Sequence, residues 1–280
     1  MDLLNFKHQL IRILSVAFVA VFLLSACSSS DQPPFPDNEL ENAAPVEELF
    51  KEAQDALDEG LYRTAAQKFD DIERIYPFSV WAKRAMLMSA FAYYENEDYD
   101  RALIGLERFI RLYPVDERTD YAYYLKAMCY YEQISDIRRD QKMTEMALSN
   151  LMAVIDRFPE SQYARDARLK IDLTFDHLAG KEMEIGRYYM KQKIYNAAIR
   201  RFQKVVREYQ TTTHVAEALY RLVEANMALG LKEEAKKNAA ILGHNYPGSA
   251  WYEDAYVLVN EGEVNSEGGF FSKAWHSVVN

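Results

Sequence analysis

The sequence predicts an all-α protein, a solenoid of about five stacked helix–turn–helix units, and three observations carry that prediction. Five alanines, Ala65, Ala102, Ala147, Ala198 and Ala235, head one recurring pattern. Four residues on stand Phe69, Leu106, Leu151, Phe202 and Ala239, and seven on stand Ile72, Phe109, Val154, Val205 and Leu242. Offsets of about 4 and 7 trace one face of an α-helix. The second observation is where that helix stops. At offset 11 come Tyr76, Tyr113, Phe158, Tyr209 and Tyr246, followed by Pro77, Pro114, Pro159, Gln210 and Pro247. Proline lacks the N–H that a helix needs and restricts the residue before it. The third is composition: 280 residues with 10 Gly and 8 Pro against 20 Tyr and 14 Phe do not suit a turn-rich β fold.

The segments follow in order. Residues 1–26 read as a secretion signal: Lys7, His8 and Arg12 form a basic start, and the apolar stretch Ile13–Leu24 is too short to span a bilayer. Leu24-Ser25-Ala26-Cys27 resembles the bacterial lipobox. That class implies cleavage after Ala26 and an N-acyl diacylglycerol on Cys27, which would be the only covalent group on the chain. Several acyl chains make a lasting membrane anchor. Residues 27–44, rich in Ser and Pro, read as an extended tether. Ser28 after the cysteine, rather than Asp, is what this class shows for cargo sent to the outer membrane.

Residues 45–262 form the repeat array. Each alanine helix is preceded by another amphipathic stretch, such as Ala82–Glu95 or Ala216–Leu229. The unit resembles the tetratricopeptide repeat, which stacks into a right-handed superhelix with a concave groove. Spacings of 37, 45, 51 and 37 between the alanines place extra turns in the third and fourth units. Residues 134–141 are one insertion, and Glu160–Lys181 supplies an added or elongated helix with Gly180 as its expected break. Cys129 lies in an apolar run and reads as a buried helix residue. Residues 263–280 form an aromatic tail in which Phe270, Phe271, Ala274, Trp275 and Val278 would share one helical face, as a cap on the array or a partner contact.

Charge and motifs narrow the function. A formal charge of −10, or −11 once the signal is removed, opposes phosphate binding, so no nucleic acid is expected as a partner. The five histidines do not pair at metal-ligand spacing, and no nucleophile elbow or phosphate-binding loop is present. Asn96, Asp98, Asp100 and Glu107 sit in a calcium-loop frame, but Arg101 stands where that loop needs glycine. Catalysis, metal and cofactor are therefore not expected, and the working part is surface. Phe78, Tyr93, Tyr94, Tyr121 and Tyr124 form the candidate groove for a substrate peptide, since tyrosine offers apolar area with a hydrogen-bonding tip. Neighbouring tyrosines point to different faces, so about half belong to the core. In the fourth unit Arg187, Arg200, Arg201, Lys204 and Arg207 form a basic region, read either as a charge-balanced helix surface or as a docking face for an acidic partner.

Certain strings are more particular than the repeat: Arg74-Ile75-Tyr76-Pro77-Phe78-Ser79, Ala90-Phe91-Ala92-Tyr93-Tyr94, Asp120-Tyr121-Ala122-Tyr123-Tyr124, Arg138-Arg139-Asp140-Gln141 and Phe158-Pro159-Glu160-Ser161-Gln162-Tyr163. With the lipobox, they resemble the BamD (ComL/YfiO-type) lipoproteins of the β-barrel assembly machinery, from Cys27 to about Tyr256. The resemblance implies a lipid-anchored subunit at the periplasmic face of the outer membrane. It implies that the later repeats bind BamA, alongside other Bam subunits, and that the early repeats take unfolded outer membrane proteins through C-terminal aromatic signals. A stand-alone periplasmic repeat scaffold coordinating envelope or division proteins is the alternative, because the fold would serve it equally.

Overall fold

The computed structural model describes residues 44–137 and 139–264. The signal segment, Cys27, the tether before Ala44, Arg138 and the aromatic tail from residue 265 on lie outside the described residues. Among the described residues eleven helices follow in chain order: α1 (Val46–Asp58), α2 (Tyr62–Ile75), α3 (Val80–Glu95), α4 (Tyr99–Leu112), α5 (Thr119–Tyr131), α6 (Lys142–Arg157), α7 (Gln162–Lys191), α8 (Tyr195–Glu208), α9 (Val215–Ala228), α10 (Lys232–Asn245) and α11 (Ala250–Val264). Each packs on the next, and first helices also meet those of the following unit, α1 on α3, α3 on α5, α5 on α7 and α9 on α11. The protein is all-α, and its described residues form five helix pairs with α11 packed against the last.

The spaced residues are the core. All five alanines, and every residue seven positions beyond them, are fully buried, as are Phe69, Leu106, Leu151 and Phe202 at offset 4. The aromatic at offset 11 ends the helix each time, its N–H donating to the carbonyl four residues back. Tyr209 does this with φ −125° although Gln210 follows it, close to the −123° and −129° of Tyr76 and Tyr113 before prolines. Proline therefore reinforces a stop that the turn already makes.

Two further regularities come from the turns. At offset 14 stand Ser79, Asp116, Ser161, Thr212 and Ser249, and the N–H of each donates to the carbonyl of the offset-11 aromatic at 3.0–3.2 Å. Four of their side chains accept an N–H from the start of the next helix, from Ala82, Arg118, Tyr163 and Tyr252, as helix caps do. Five positions before the alanines, Gly60, Glu97, Lys193 and Gly230 all adopt left-handed φ, between 59° and 76°. The following N–H reaches back to close a Schellman turn, for example Leu61 to Ala56 at 2.9 Å and Leu231 to Asn226 at 2.8 Å.

The extra turns of the third and fourth units form one device. Helix α7 runs unbroken for 30 residues through Gly180, so the expected break there is corrected. Gly180 is buried, and a Cβ on it would lie 3.3 Å from His214 Nε2 and 3.8 Å from Ile137 of the insertion. Glycine allows close approach at that point. The insertion rests on the same helix: His177 Nδ1 meets Gln141 Oε1 at 3.1 Å, and Lys181 Nζ donates to the carbonyl of Arg139 at 3.3 Å. The lengthened helix is the floor on which the inserted loop lies.

Candidate functional site

Helix α3 is apolar round most of its circumference, and two of its stripes have different uses. Ala82, Ala85, Met86, Ser89, Ala90 and Tyr93 are buried in the core. Arg84, Leu87, Met88 and Phe91, at the same 3, 4, 7 spacing, line a cleft of about 720 Å³. Glu117 and Arg118 before α5, Asp120 and Tyr121 on α5, and Gln162 and Tyr163 on α7 complete its walls. The cleft is thus built by first helices of consecutive units.

Its aromatic wall is organised. Tyr163 lies 5.2 Å from Tyr121 and stacks on Tyr124 at 5.1 Å and 22° between planes. Tyr124 donates its hydroxyl proton to Asp166 across the α5–α7 contact. Burial, and then the neighbouring Tyr163, push the Tyr121 phenol well above its ordinary range. Burial and the Asp166 bond do the same for Tyr124. Both stay neutral phenols, able to stack and to hydrogen-bond. Asp120 accepts from Ser161 Oγ at 2.5 Å and from the N–H of Tyr121 at 2.6 Å, so its carboxylate fixes the wall. Arg84, exposed, lies over the Phe50 ring at 4.9 Å. Arg118 donates through Nε to Asp116 at 3.2 Å. Arginines lining a cleft with aromatic residues can receive an extended peptide and pair with its anionic groups.

The five candidate groove residues do not sit together. Tyr121 lines the cleft and Tyr124 braces its wall from behind Tyr163. Tyr93 is 7% exposed and belongs to the core: its hydroxyl donates to Asp70 at 2.7 Å, and Arg101 covers its ring at 4.4 Å. That corrects its placing on the groove surface, because the 93/94 pair splits between faces and the core stripe takes Tyr93. Tyr94 packs edge-on against Tyr99 at 5.8 Å, with its hydroxyl 3.5 Å from Glu132. Phe78 is 101% exposed in the α2–α3 turn, outside the cleft. Sequence reasoning missed Arg84, Leu87, Met88, Phe91, Gln162 and Tyr163. The stripe at 84, 87, 88 and 91 was readable as a second apolar face once the first was assigned.

The basic region of the fourth unit is largely spent inside the fold. Glu182 on α7 is 7% exposed and accepts from Arg201 at 3.0 Å and Lys204 at 2.7 Å, both on α8. Arg187 donates to both oxygens of Glu217 on α9 at 3.0 and 3.1 Å. Glu217 also takes Arg221, which pairs with buried Glu224 at 2.6 Å and lies over Trp251 of α11 at 5.5 Å. Three of the five cations are therefore helix-to-helix ties. Arg207 pairs with its neighbour Glu208, yet its side chain is 74% exposed, and Arg200 is exposed as well.

Asp98, from the calcium-loop frame, caps α4 and is bonded to Arg101. Cys129 is fully buried, and burial pushes its thiol up to about 12. Among the described residues no cluster of His, Cys, Asp or Glu is arranged to hold a metal.

The family described as YfiO, outer membrane lipoprotein, matches residues 42–242. The chain belongs to this family. Among its relatives, the outer membrane protein assembly factor BamD of Caulobacter vibrioides is 51% identical over 217 residues, 78% of this chain and 71% of that one. The BamD of Rickettsia prowazekii is 44% identical over 251 residues, 90% of this chain and 98% of that one. Among solved structures, the TPR2AB domain of yeast Sti1 in its pHSP90 complex aligns with a TM-score of 0.41 and 10% identity, over 79% of this chain and 84% of that one. As a YfiO family member the protein is an outer membrane lipoprotein and a non-catalytic outer membrane protein assembly factor of the BamD type.

Proposed function

We propose that this protein is the lipid-anchored subunit of the β-barrel assembly machinery that reads unfolded outer membrane proteins and passes them to BamA. Acylated Cys27 holds the array at the periplasmic face of the outer membrane. The cleft between α3, α5 and α7 takes an extended segment ending in an aromatic residue, whose ring packs on Tyr121 and Tyr163 while Arg84 and Arg118 meet its carboxylate. The single observation that supports this most is the aromatic wall of that cleft, held in place by Asp120 and Asp166. Tyr94 extends the same route outside the cleft and Tyr93 supports it from the core, whereas Phe78, fully exposed in the α2–α3 turn, is left out of it. BamA docks on the fourth unit through exposed Arg200 and Arg207, in a frame set by Arg187, Arg201 and Lys204; other Bam subunits join the same assembly.

The test is fluorescence polarisation with a labelled peptide ending in phenylalanine, run on the mature chain. Tyr121→Ala and Phe91→Ala are expected to weaken binding about tenfold, about the loss of one aromatic anchor, with the helical circular dichroism unchanged. Binding as tight as the wild type by both variants sinks the cleft as the peptide site. For the second contact, Arg200→Glu with Arg207→Glu is expected to deplete BamA from the protein recovered from solubilised membranes; full recovery of BamA places its dock elsewhere.

A further inference from the structure

The turns that join one unit to the next differ sharply in polarity along the chain. Two residues past the helix-ending aromatic stand Phe78, Val115, Glu160, Thr211 and Gly248. The first two are 101% and 96% exposed, and Val80, two residues past Phe78, is 83% exposed. The later three turns show the solvent no apolar side chain at this position. Elsewhere, the exposed apolar residues of the turns within units, Leu61, Ile194 and Leu231, keep about half their surface covered, at 51%, 50% and 49%. Exposure of three apolar side chains to 83–101% in or beside two successive turns is costly in water unless something covers them.

Topology says where those turns lie. Sequentially packed helices joined by short turns run antiparallel, so the starts of first helices and the ends of second helices share one edge. The α2–α3 turn, the α4–α5 turn and the start of α1 at Val46 all belong to it. A Lys83–Asp116 ion pair ties the two apolar turns to each other. Val46 is also where the chain arrives from Cys27, 19 residues earlier, a path of at most about 65 Å even if fully extended. The apolar tips thus stand on the edge where the array begins, in the units that follow Cys27 most closely in sequence, and vanish from that edge farther along the array.

We infer that Phe78, Val80 and Val115 form a membrane-contacting edge that dips into the phospholipid leaflet holding the acyl anchor, and so sets the orientation of the array on the membrane. An acyl anchor alone leaves a protein free to swivel; a second, shallow apolar contact fixes which face looks away from the bilayer. Trp81 stands beside the tips and packs on Phe50 at 4.9 Å, so the turn that carries Phe78 is braced from inside.

The inference rests on the anchor at Cys27, and the test scores the two separately. Buried Cys129 and acylated Cys27 leave the lipidated full-length chain ready for single labels at Phe78→Cys and Val115→Cys. Thr211→Cys, on the same edge farther along, and Leu231→Cys, on the opposite edge, are the controls. Each variant carries an NBD fluorophore and is incorporated into phosphatidylethanolamine–phosphatidylglycerol vesicles, and flotation reports anchoring. Labels at 78 and 115 are expected to brighten about twofold or more on floated vesicles and to be quenched by nitroxide lipids, as apolar groups at the acyl boundary are. Labels at 211 and 231 are expected to stay as in solution. Chains that float with all four labels alike overturn the edge contact and leave the anchor standing. Chains that do not float overturn the anchor, and the edge contact with it. Brightening at 78 and 115 only when other assembly proteins are added assigns the edge to a protein partner and also overturns the inference.

Discussion

Two carboxylates that lie between consecutive helices, Asp70 near the front of the array and Glu182 near the back, are satisfied in different ways. Near the front, Asp70 on α2 takes neutral donors from α3, Ser89 Oγ at 2.5 Å and Tyr93 at 2.7 Å. Near the back, Glu182 on α7 takes two cations from α8, and Glu217 on α9 takes Arg187 from α7. Ion pairs between helices repay the desolvation of buried carboxylates only when their geometry is good. The difference explains why composition misleads in both halves. Tyrosines in front and arginines behind are partly structural, and only what remains after the internal ties is available to partners.

Packing tolerance separates the halves most strongly. Gly186 on α7 faces the ring of fully buried Phe202, and a Cβ there would fall inside that ring's contact surface, whereas a Cβ on Gly105 would lie 3.3 Å from that of Ala90. An alanine in a helix normally gains about 1 kcal/mol over glycine. Gly186→Ala is expected to lose about 3 kcal/mol by overpacking, and Gly105→Ala to come out near neutral. Urea unfolding measures both; equal midpoints for the two variants would show that the back half repacks as easily as the front.

The charged and neutral ties should differ next, and in their response to salt. Glu182→Gln strands two partly exposed cations and is expected to cost about 1–2 kcal/mol. Tyr93→Phe removes one neutral donor and is expected to cost about 1 kcal/mol. Raising NaCl to about 0.5 M should narrow the first gap and leave the second. If the Glu182→Gln gap ignores salt, the contact works as ordinary hydrogen bonding and the contrast between halves weakens.

How much of this was legible follows from what each signal depends on. The core alanines and their partners at offsets 4 and 7 could be read because helical periodicity and burial are properties of one chain segment. The offset-14 cap was equally local, but Ser79, Asp116, Ser161, Thr212 and Ser249 vary in type and hid among ordinary loop residues. Gly180 misled because glycine in a helix has two meanings, break or close approach, and only the neighbour, His214, tells which. The cleft was half legible. Tyr121 was visible as an aromatic on a first helix, but its partner Tyr163 comes from another unit, and Tyr93 and Tyr94 could not be sorted without knowing which way α3 is turned.

Among the five residues at offset 14, Asp116 alone is a carboxylate, and pH can isolate it. Burial pushes Asp116 up, but hydrogen bonds from Lys83 and from the N–H and guanidinium of Arg118 outweigh it and hold the carboxyl down to about 2, against an ordinary 3.8. Because the folded-state value is the lower one, its stabilisation is complete above the ordinary value and is lost as pH falls through about 2. Asp116→Asn should therefore be less stable than the wild type near neutrality, by about 1 kcal/mol given partners that are partly exposed. The two should converge between pH 4 and pH 2, about the window of that titration. Ser249→Ala, at the same turn of unit five, should show a deficit that does not change over that range. A parallel pH profile for both variants would mean that the carboxylate is doing no more than a serine does.

The smallest effect concerns the turns within units, where front and back each pair one glycine with one strained residue. Gly60 and Gly230 adopt φ of 74° and 76°, while Glu97 and Lys193 hold 59° without being glycine. A side chain in that region costs about 1–2 kcal/mol, and replacing it with glycine gives back part of this as extra freedom of the unfolded chain, about 0.4–1 kcal/mol. Glu97→Gly and Lys193→Gly should each stabilise by about 0.5 kcal/mol, and Gly60→Ala should destabilise by a similar or larger amount. Thermal melts of the single variants decide it. Stabilisation at Lys193 but not at Glu97 would be informative, because Asp98 beside Glu97 already caps α4 and bonds Arg101, so the front turn would be shown to hold its geometry by side-chain bonds where the back turn relies on the backbone alone.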